Sequence, residues 1–209
     1  MPILRAQRAK RMLDVALCLA ALPLIAPLMI LVAVVVRVDS GGPVLYRGKR
    51  IGLDQVPFEQ LKFRTMAANA PGLDVTASDD PRITRVGRFL RASKLDELPQ
   101  IINVLRGEMS LVGPRPEVPR YVALYSSVQR RVLSVRPGMA CAAFLYFGHE
   151  QDFIERADPP DVEQFYLTVL LPRKLDVELR YVEDWSLGSD LRILARTFAG
   201  LLLSIRGRR

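Results

Sequence analysis

The sequence predicts a mainly α-helical chain with short β segments, an α+β domain carried on a membrane helix. Three observations lead there. Residues Val15–Val36 form a run of 22 without a charge. After it, short apolar and aromatic pieces alternate with turn residues, which is the pattern of strands. Further on, apolar residues recur at helical spacing, as in Leu98, Ile101, Ile102 and Leu105 at i, i+3, i+4 and i+7. The expected division is residues 1–38 for a basic N-terminus with the membrane helix, and residues 39–209 for the domain.

As an unbroken helix the apolar run would extend about 33 Å, enough to cross a hydrocarbon core of roughly 30 Å. Pro23 and Pro27 lie near its middle, and proline pushes the preceding residues, Leu22 and Ala26, away from helical geometry. Both flanks are basic: Arg5, Arg8, Lys10 and Arg11 before it, and Arg37, Arg47, Lys49 and Arg50 after it. A single crossing would carry one cluster to the far side, against the positive-inside tendency. The expectation is a re-entrant hairpin broken at Ala26–Pro27, with both flanks on the cytoplasmic side; a proline-kinked spanning helix is the alternative.

Strands are expected near Val44–Tyr46 and Phe58–Phe63, and residues 69–81, rich in Pro, Gly, Asp and Ser, as the most mobile loop. "RITRVGRFLRAS" reads as a helix with Arg82, Arg85, Arg88 and Arg91 at three-residue intervals, at least two of them solvated. The following "SKLDELPQIINVL" sets Asp96 and Glu97 ahead of Pro99. Proline is tolerated in a first turn because those N–H groups have no partner inside the helix. Taken alone, this is a helix starting at Asp96, with the carboxylate as cap in the field of the helix dipole. "GEMSLVGPRPEVPRY" reads as a loop in which Pro114 and Pro116 hold Arg115, a rigid presentation of one guanidinium suited to a phosphate. The tail from Ser189 reads as an amphipathic helix, capped by Ser189 or Asp190. Leu191, Leu194, Phe198, Leu201 and Leu202 form its apolar stripe, and an interfacial position is as reasonable as core packing.

A net charge of +8 calls for an anionic partner. Nucleic acid is not expected, because the basic residues are not interleaved with stacking aromatics and no nucleic-acid motif is present. Cys18 and Cys141 lie far apart, without metal spacing or a disulfide framework. A single histidine, His149, argues against a histidine metal site or catalytic triad.

The order "KRMLD", proline-broken apolar run, "KFRTM", "DPRITRVGRFLRASKLDELPQIINVLRGEMSLVGPRPE", "VRPG" and "YVEDWSLGSDLRIL" resembles the bacterial sugar transferases, the monotopic polyprenyl-phosphate phosphoglycosyl transferases. The resemblance runs from about Lys10 to Leu203. It implies a small cytoplasmic catalytic domain, on a re-entrant helix at the inner face of a bacterial inner membrane. The implied reaction moves a sugar-1-phosphate from a UDP-sugar to a polyprenyl phosphate, expected to be undecaprenyl phosphate, with release of UMP. By the same resemblance Asp96 is the nucleophile that forms a phosphosugar-enzyme intermediate, and Glu97 assists through the metal or as a base. Arg91 and Arg115 contact phosphate, and Mg²⁺ is the cofactor, at Asp96 and Glu97. Membrane lipids are partners, and the exposed anchor and tail allow a homodimer. The other reading of the charge and anchor is a membrane-bound basic binding or scaffold protein without catalysis.

The chemistry of an aspartate nucleophile agrees with these surroundings. With an ordinary pKa near 3.9 it needs no activating base, only relief from the repulsion of an anionic diphosphate. Arginines and a divalent cation supply that relief. One stretch departs from the family. After "VRPG" most members continue with threonine, glycine and a polar run ending in an arginine that faces phosphate. This chain has "MACAAFLYFGHEQDF", with Cys141 at the glycine position and Gly148 about where the arginine falls. The implication is a missing phosphate contact that an arginine at 148 would restore.

Overall fold

A long helix, α1 (Pro2–Ser40), opens the computed structural model, which describes residues 2–67, 80–148 and 150–206. One face of α1 meets the rest of the chain. Asp14, Cys18, Val32 and Val36 are buried there, with Ile25 and Met29 packed at the edges of the same clusters. Their spacing of three, four or seven residues keeps them on one side of a helix. The other side is apolar and exposed, with Leu19, Leu24, Ile30, Leu31, Val34 and Val38 outward. Its most apolar 18-residue stretch has a mean hydropathy of 2.8, and α1 is the one helix among the described residues long and apolar enough to cross a membrane. The backbone stays helical through Pro23 and Pro27, where the sequence reading expects a break. Each proline removes one backbone hydrogen bond, and both sit on the exposed side.

An antiparallel hairpin follows, β1 (Leu45–Ile51) and β2 (Pro57–Phe63), in a register running from Leu45 opposite Phe63 to Ile51 opposite Pro57. β1 is longer than its short apolar start suggests, because pairing with β2 carries the polar residues Arg47–Arg50 into the ladder. Residues 69–79 of the loop expected to be mobile lie outside the described residues. α2 (Arg85–Ser93) begins three residues later than expected, because the Thr84 hydroxyl accepts a bond from the Gly87 N–H at 2.9 Å. Arg82 stays ahead of the helix, paired with Asp80. α2 lies against the chain after β2 so closely that a Cβ on Gly87 would be 2.1 Å from the Thr65 carbonyl oxygen.

Lys94, with φ 58°, turns the chain into a 3-10 turn, Leu95–Glu97, and then α3 (Gln100–Arg106). The segment after α3, expected as loop throughout, contributes a strand, β3 (Ser110–Val112). It pairs in parallel with β4 (Gly138–Ala140), Ser110 opposite Gly138. Three residues a side is too short for periodicity to declare. Between them stand α4 (Pro119–Val122) and a 3-10 turn over Gln129–Ser134. α5 (Phe144–Phe147), α6 (Glu150–Ala157), α7 (Val162–Phe165), a π turn at Tyr166–Leu170 and α8 (Leu171–Glu183) complete the main core, around Tyr121, Tyr166, Leu170 and Leu175.

α9 (Leu187–Arg206) closes the chain. Ser186 and Ser189 cap it reciprocally, each hydroxyl accepting the other's N–H at 3.0 Å. Asp190, read from sequence as an alternative cap, is buried instead, accepting from Tyr181, Trp185 and Lys10. Ile193 faces the core, whereas Leu191 and Phe198 point outward beside exposed Arg192 and Arg196. The side chains of Leu201 and Leu202 are outside the description.

Candidate active site

The left-handed turn at Lys94 brings Asp96 and Glu97 to the junction of α2, α3 and β2. The capping expectation fails here. Pro99 stands at the helix entrance, and no side chain closes the first turn of α3. Asp96 is 7% exposed, and its Oδ1 is buried without a hydrogen-bond partner among the described residues. A buried carboxylate oxygen left unsatisfied costs on the order of 1–3 kcal/mol, so its place here is bought by something other than folding.

Glu97 is held firmly. Its Oε1 accepts from Lys62 Nζ and from Arg115 Nη2, both at 2.9 Å. Burial pushes the Glu97 carboxyl up, but Arg115 and Lys62 outweigh it and hold the group well below the usual carboxylate range. Its neighbour goes the other way: burial first, and repulsion from Glu97 second, raise the pKa of Asp96, against the pull of Lys62, Lys94 and Arg91. Two adjacent acids are thus pushed apart in pKa by their surroundings, a mark of sites that do chemistry.

Arg115 is mounted as its flanking prolines suggest. Pro114 and Pro116 are buried; the Pro114 carbonyl takes the Gly138 N–H at 2.9 Å, and the Glu117 carbonyl takes the Ile51 N–H at 3.0 Å. The loop is therefore tied to β4 on one side and β1 on the other, and its guanidinium projects between Glu97 and Glu150. Arg91, in the last turn of α2, donates from Nε to Thr65 Oγ1 at 2.9 Å, while its buried Nη1 has no partner among the described residues. Burial lowers the pKa of Arg91, and the charge of Asp96 opposes that shift. An unpaired guanidinium nitrogen and an unpaired carboxylate oxygen on neighbouring elements leave room for one anion and one electrophilic or cationic centre.

All four sequence-selected residues, Arg91, Asp96, Glu97 and Arg115, belong to this one region. Sequence reasoning missed Lys62, Thr65, Glu150 and Lys174. Lys62 and Thr65 had a signal, since both lie in the "KFRTM" that carries the resemblance. Glu150 and Lys174 had none, being ordinary charged residues on separate helices. His149 is outside the described residues. Gly148 has φ 64° and ψ −139°, a conformation that side chains rarely adopt, so the backbone there suits glycine and resists the arginine that the resemblance suggests.

A hard divalent cation fits one part of the site. Mg²⁺ is usually held by one or two carboxylates plus substrate phosphates, and Asp96 Oδ1 is an orphan oxygen of that kind. Glu97 Oε1 is already shared by two cationic side chains, so Asp96 is the better donor.

The family model described as bacterial sugar transferase matches residues 5–204. Among curated proteins, a UDP-glucose:undecaprenyl-phosphate glucose-1-phosphate transferase of Caulobacter vibrioides is 39% identical over 92% of this chain and 69% of its own length. An undecaprenyl-phosphate glucose phosphotransferase of Komagataeibacter xylinus is 37% identical over 90% of this chain and 35% of its own. A UDP-N-acetylgalactosamine-undecaprenyl-phosphate N-acetylgalactosaminephosphotransferase of Aeromonas hydrophila is 33% identical, over 95% and 45%. The chain therefore spans about two thirds of the first relative and less than half of the other two.

Proposed function

The chain belongs to the bacterial sugar transferase family, and from that premise we propose that it transfers a sugar-1-phosphate from a UDP-sugar to a polyprenyl phosphate, expected to be undecaprenyl phosphate, releasing UMP. It is a sugar-phosphate transferase by kinship with enzymes of that kind. The observation that carries the mechanism is the buried Oδ1 of Asp96, without a hydrogen-bond partner among the described residues and within the influence of Lys62, Lys94 and Arg91, beside the Glu97 that holds Arg115.

In the first step an Asp96 oxygen attacks the β-phosphorus of the UDP-sugar. The bond from that phosphorus to the bridging oxygen breaks, and UMP leaves with the electron pair. Asp96 now carries the phosphosugar as an acyl phosphate. In the second step an oxygen of the polyprenyl phosphate attacks the same phosphorus, and the aspartate carboxylate leaves. Arg91 Nη1 and the guanidinium of Arg115 stabilise charge on the phosphoryl oxygens in both transition states, the task for which fixed cationic donors are most effective. Lys62 keeps Glu97 in place while Arg115 is shared with substrate. Mg²⁺ held by Asp96, with Glu97 beside it, would offset the repulsion between carboxylate and diphosphate and favour the ionised form of Asp96.

The membrane arrangement proposed is monotopic, residues 1–38 anchoring residues 39–209 at the cytoplasmic face. Its support is that both ends of α1 are bonded to one domain. Near the start, Arg11 donates to the carbonyls of Val104 and Leu105, and Asp14 accepts from Ser110 Oγ at 2.7 Å. At the end, Arg64 donates to Ser40 Oγ at 2.7 Å and to the Gly41 carbonyl. A helix that crossed roughly 30 Å of hydrocarbon could not keep both ends on the same water-facing domain, so a monotopic seat is the consistent one; a re-entrant course requires α1 to bend at Ala26–Pro27 without breaking, since it is one continuous helix there. The outward Leu191 and Phe198 of α9, among arginines, suit a helix lying in the interface.

The test is to incubate the protein with a labelled UDP-sugar and no lipid acceptor. Label should become attached to the wild type and not to Asp96→Asn, whose amide has the same shape and no nucleophilic oxygen. Equal labelling of both would remove Asp96 from its role.

A further inference from the structure

Arg115 stands between two carboxylates, and only one of them holds it. Glu97 Oε1 accepts from Nη2 at 2.9 Å, whereas Glu150 Oε1 stops 3.6 Å from Nε, beyond a normal hydrogen bond. An opposite charge so close would ordinarily close onto the free edge of the guanidinium, where two parallel bonds are available to a carboxylate. Lys174 is what keeps it away. Its Nζ lies 2.6 Å from that same Oε1 of Glu150. Lys174 is itself 5% exposed and fixed from behind, donating to Tyr166 OH at 2.9 Å with Glu117 Oε2 at 3.8 Å, and the Tyr166 hydroxyl donates in turn to Glu117. None of these contacts is needed to mount the Pro114–Pro116 loop, which is tied by its own backbone bonds.

We propose that Lys174 is a positioning residue that restrains Glu150, so that the Nε edge of Arg115 stays open to the diphosphate of a nucleotide sugar, and that Glu150 is a built-in competitor for that edge. The identity of the anion rests on the transfer reading above. Without Lys174, Glu150 would turn onto Arg115 and occupy the place of a phosphoryl oxygen. Without Glu150, nothing competes, and the anion should be held at least as well as before. The pair would therefore set how tightly substrate is gripped without either residue touching it.

The consequence is a sign pattern that a structural role does not produce. With the full chain in lipid nanodiscs, equilibrium binding of UDP is measured for wild type, Lys174→Met, Glu150→Gln and the double variant, alongside UMP release from UDP-glucose and other UDP-sugars. Lys174→Met should weaken UDP binding about tenfold, the loss of roughly one charge-assisted contact. Glu150→Gln should bind UDP equally or more tightly, and adding it to Lys174→Met should restore affinity to within about threefold of wild type. A double variant as weak as Lys174→Met would overturn the proposal. So would a Glu150→Gln protein that binds more than threefold less tightly, which decides the matter even if Lys174→Met fails to fold. A wild type that binds UDP but releases no UMP from any UDP-sugar would sink the transfer reading and leave the restraint standing on the binding series. A wild type that does not bind UDP would sink both.

Discussion

Replacing Glu97 with glutamine should slow the attack by Asp96 and yet move its pH dependence downward. In the proposed mechanism Asp96 must be ionised to attack, so the rate of the first step rises with pH through its pKa. In the wild type that pKa is raised, by burial first and by Glu97 second. Glutamine removes the like charge and leaves Lys62 and Arg115, each 2.9 Å from Glu97 Oε1, free to act on Asp96. A unit charge 4 to 8 Å away contributes about 4 to 2 kcal/mol at an effective dielectric of about 20. Both changes act in the same direction and lower the pKa of Asp96. The expected result is an acid limb displaced to lower pH, with a reduced plateau because Arg115 loses its anchor. The assay is single-turnover UMP release without lipid acceptor, since the acceptor phosphate titrates in the same range. Rates are taken from about pH 4 to pH 8 at constant saturating Mg²⁺. An acid limb that stays put or moves upward would mean that Asp96 is not the titrating group, or that Glu97 does not repel it.

Arg115→Ala should lower kcat/KM by about a hundredfold or more, the usual cost of one transition-state donor. Arg82→Ala, outside α2 and paired with Asp80, should lower it far less, and equal losses would dissolve the distinction between site and surface arginines. Gly148→Arg should reduce activity or stability rather than restore a family contact. Among the described residues nothing lies within 4 Å of a Cβ there, but φ is 64° and the backbone strain is of order 1–3 kcal/mol; a faster enzyme would show that the phosphate contact was simply absent. For the anchor, single cysteines at Gln7 and Asp39, in a background with Cys18 and Cys141 replaced by alanine, should both resist an impermeant thiol reagent in spheroplasts. Labelling of the Gln7 site would refute the re-entrant course.

Much of the proposed function was readable from the chain itself because it is written in local patterns. A charge-free run between basic flanks marks a candidate anchor wherever the domain packs. Asp96, Glu97 and Pro99 are neighbours, and Arg115 between prolines is fixed by its immediate chain. The acid pair was legible, but its reading as a helix cap was not upheld, because the left-handed Lys94 inserts a 3-10 turn before α3 and leaves Asp96 Oδ1 uncapped. Residues that act through distant partners were silent. Lys62 reaches Glu97 from β2, and Lys174 reaches Glu150 from α8, and no periodicity encodes either meeting. The burial of Asp190 beneath Lys10, Tyr181 and Trp185 is of the same kind. Sequence alone selected the groups proposed to do the chemistry. Tertiary structure decided their charge states and which partners they answer to, because pKa shifts and ion pairs depend on burial and on separations of a few ångströms, quantities that exist only once remote segments have packed.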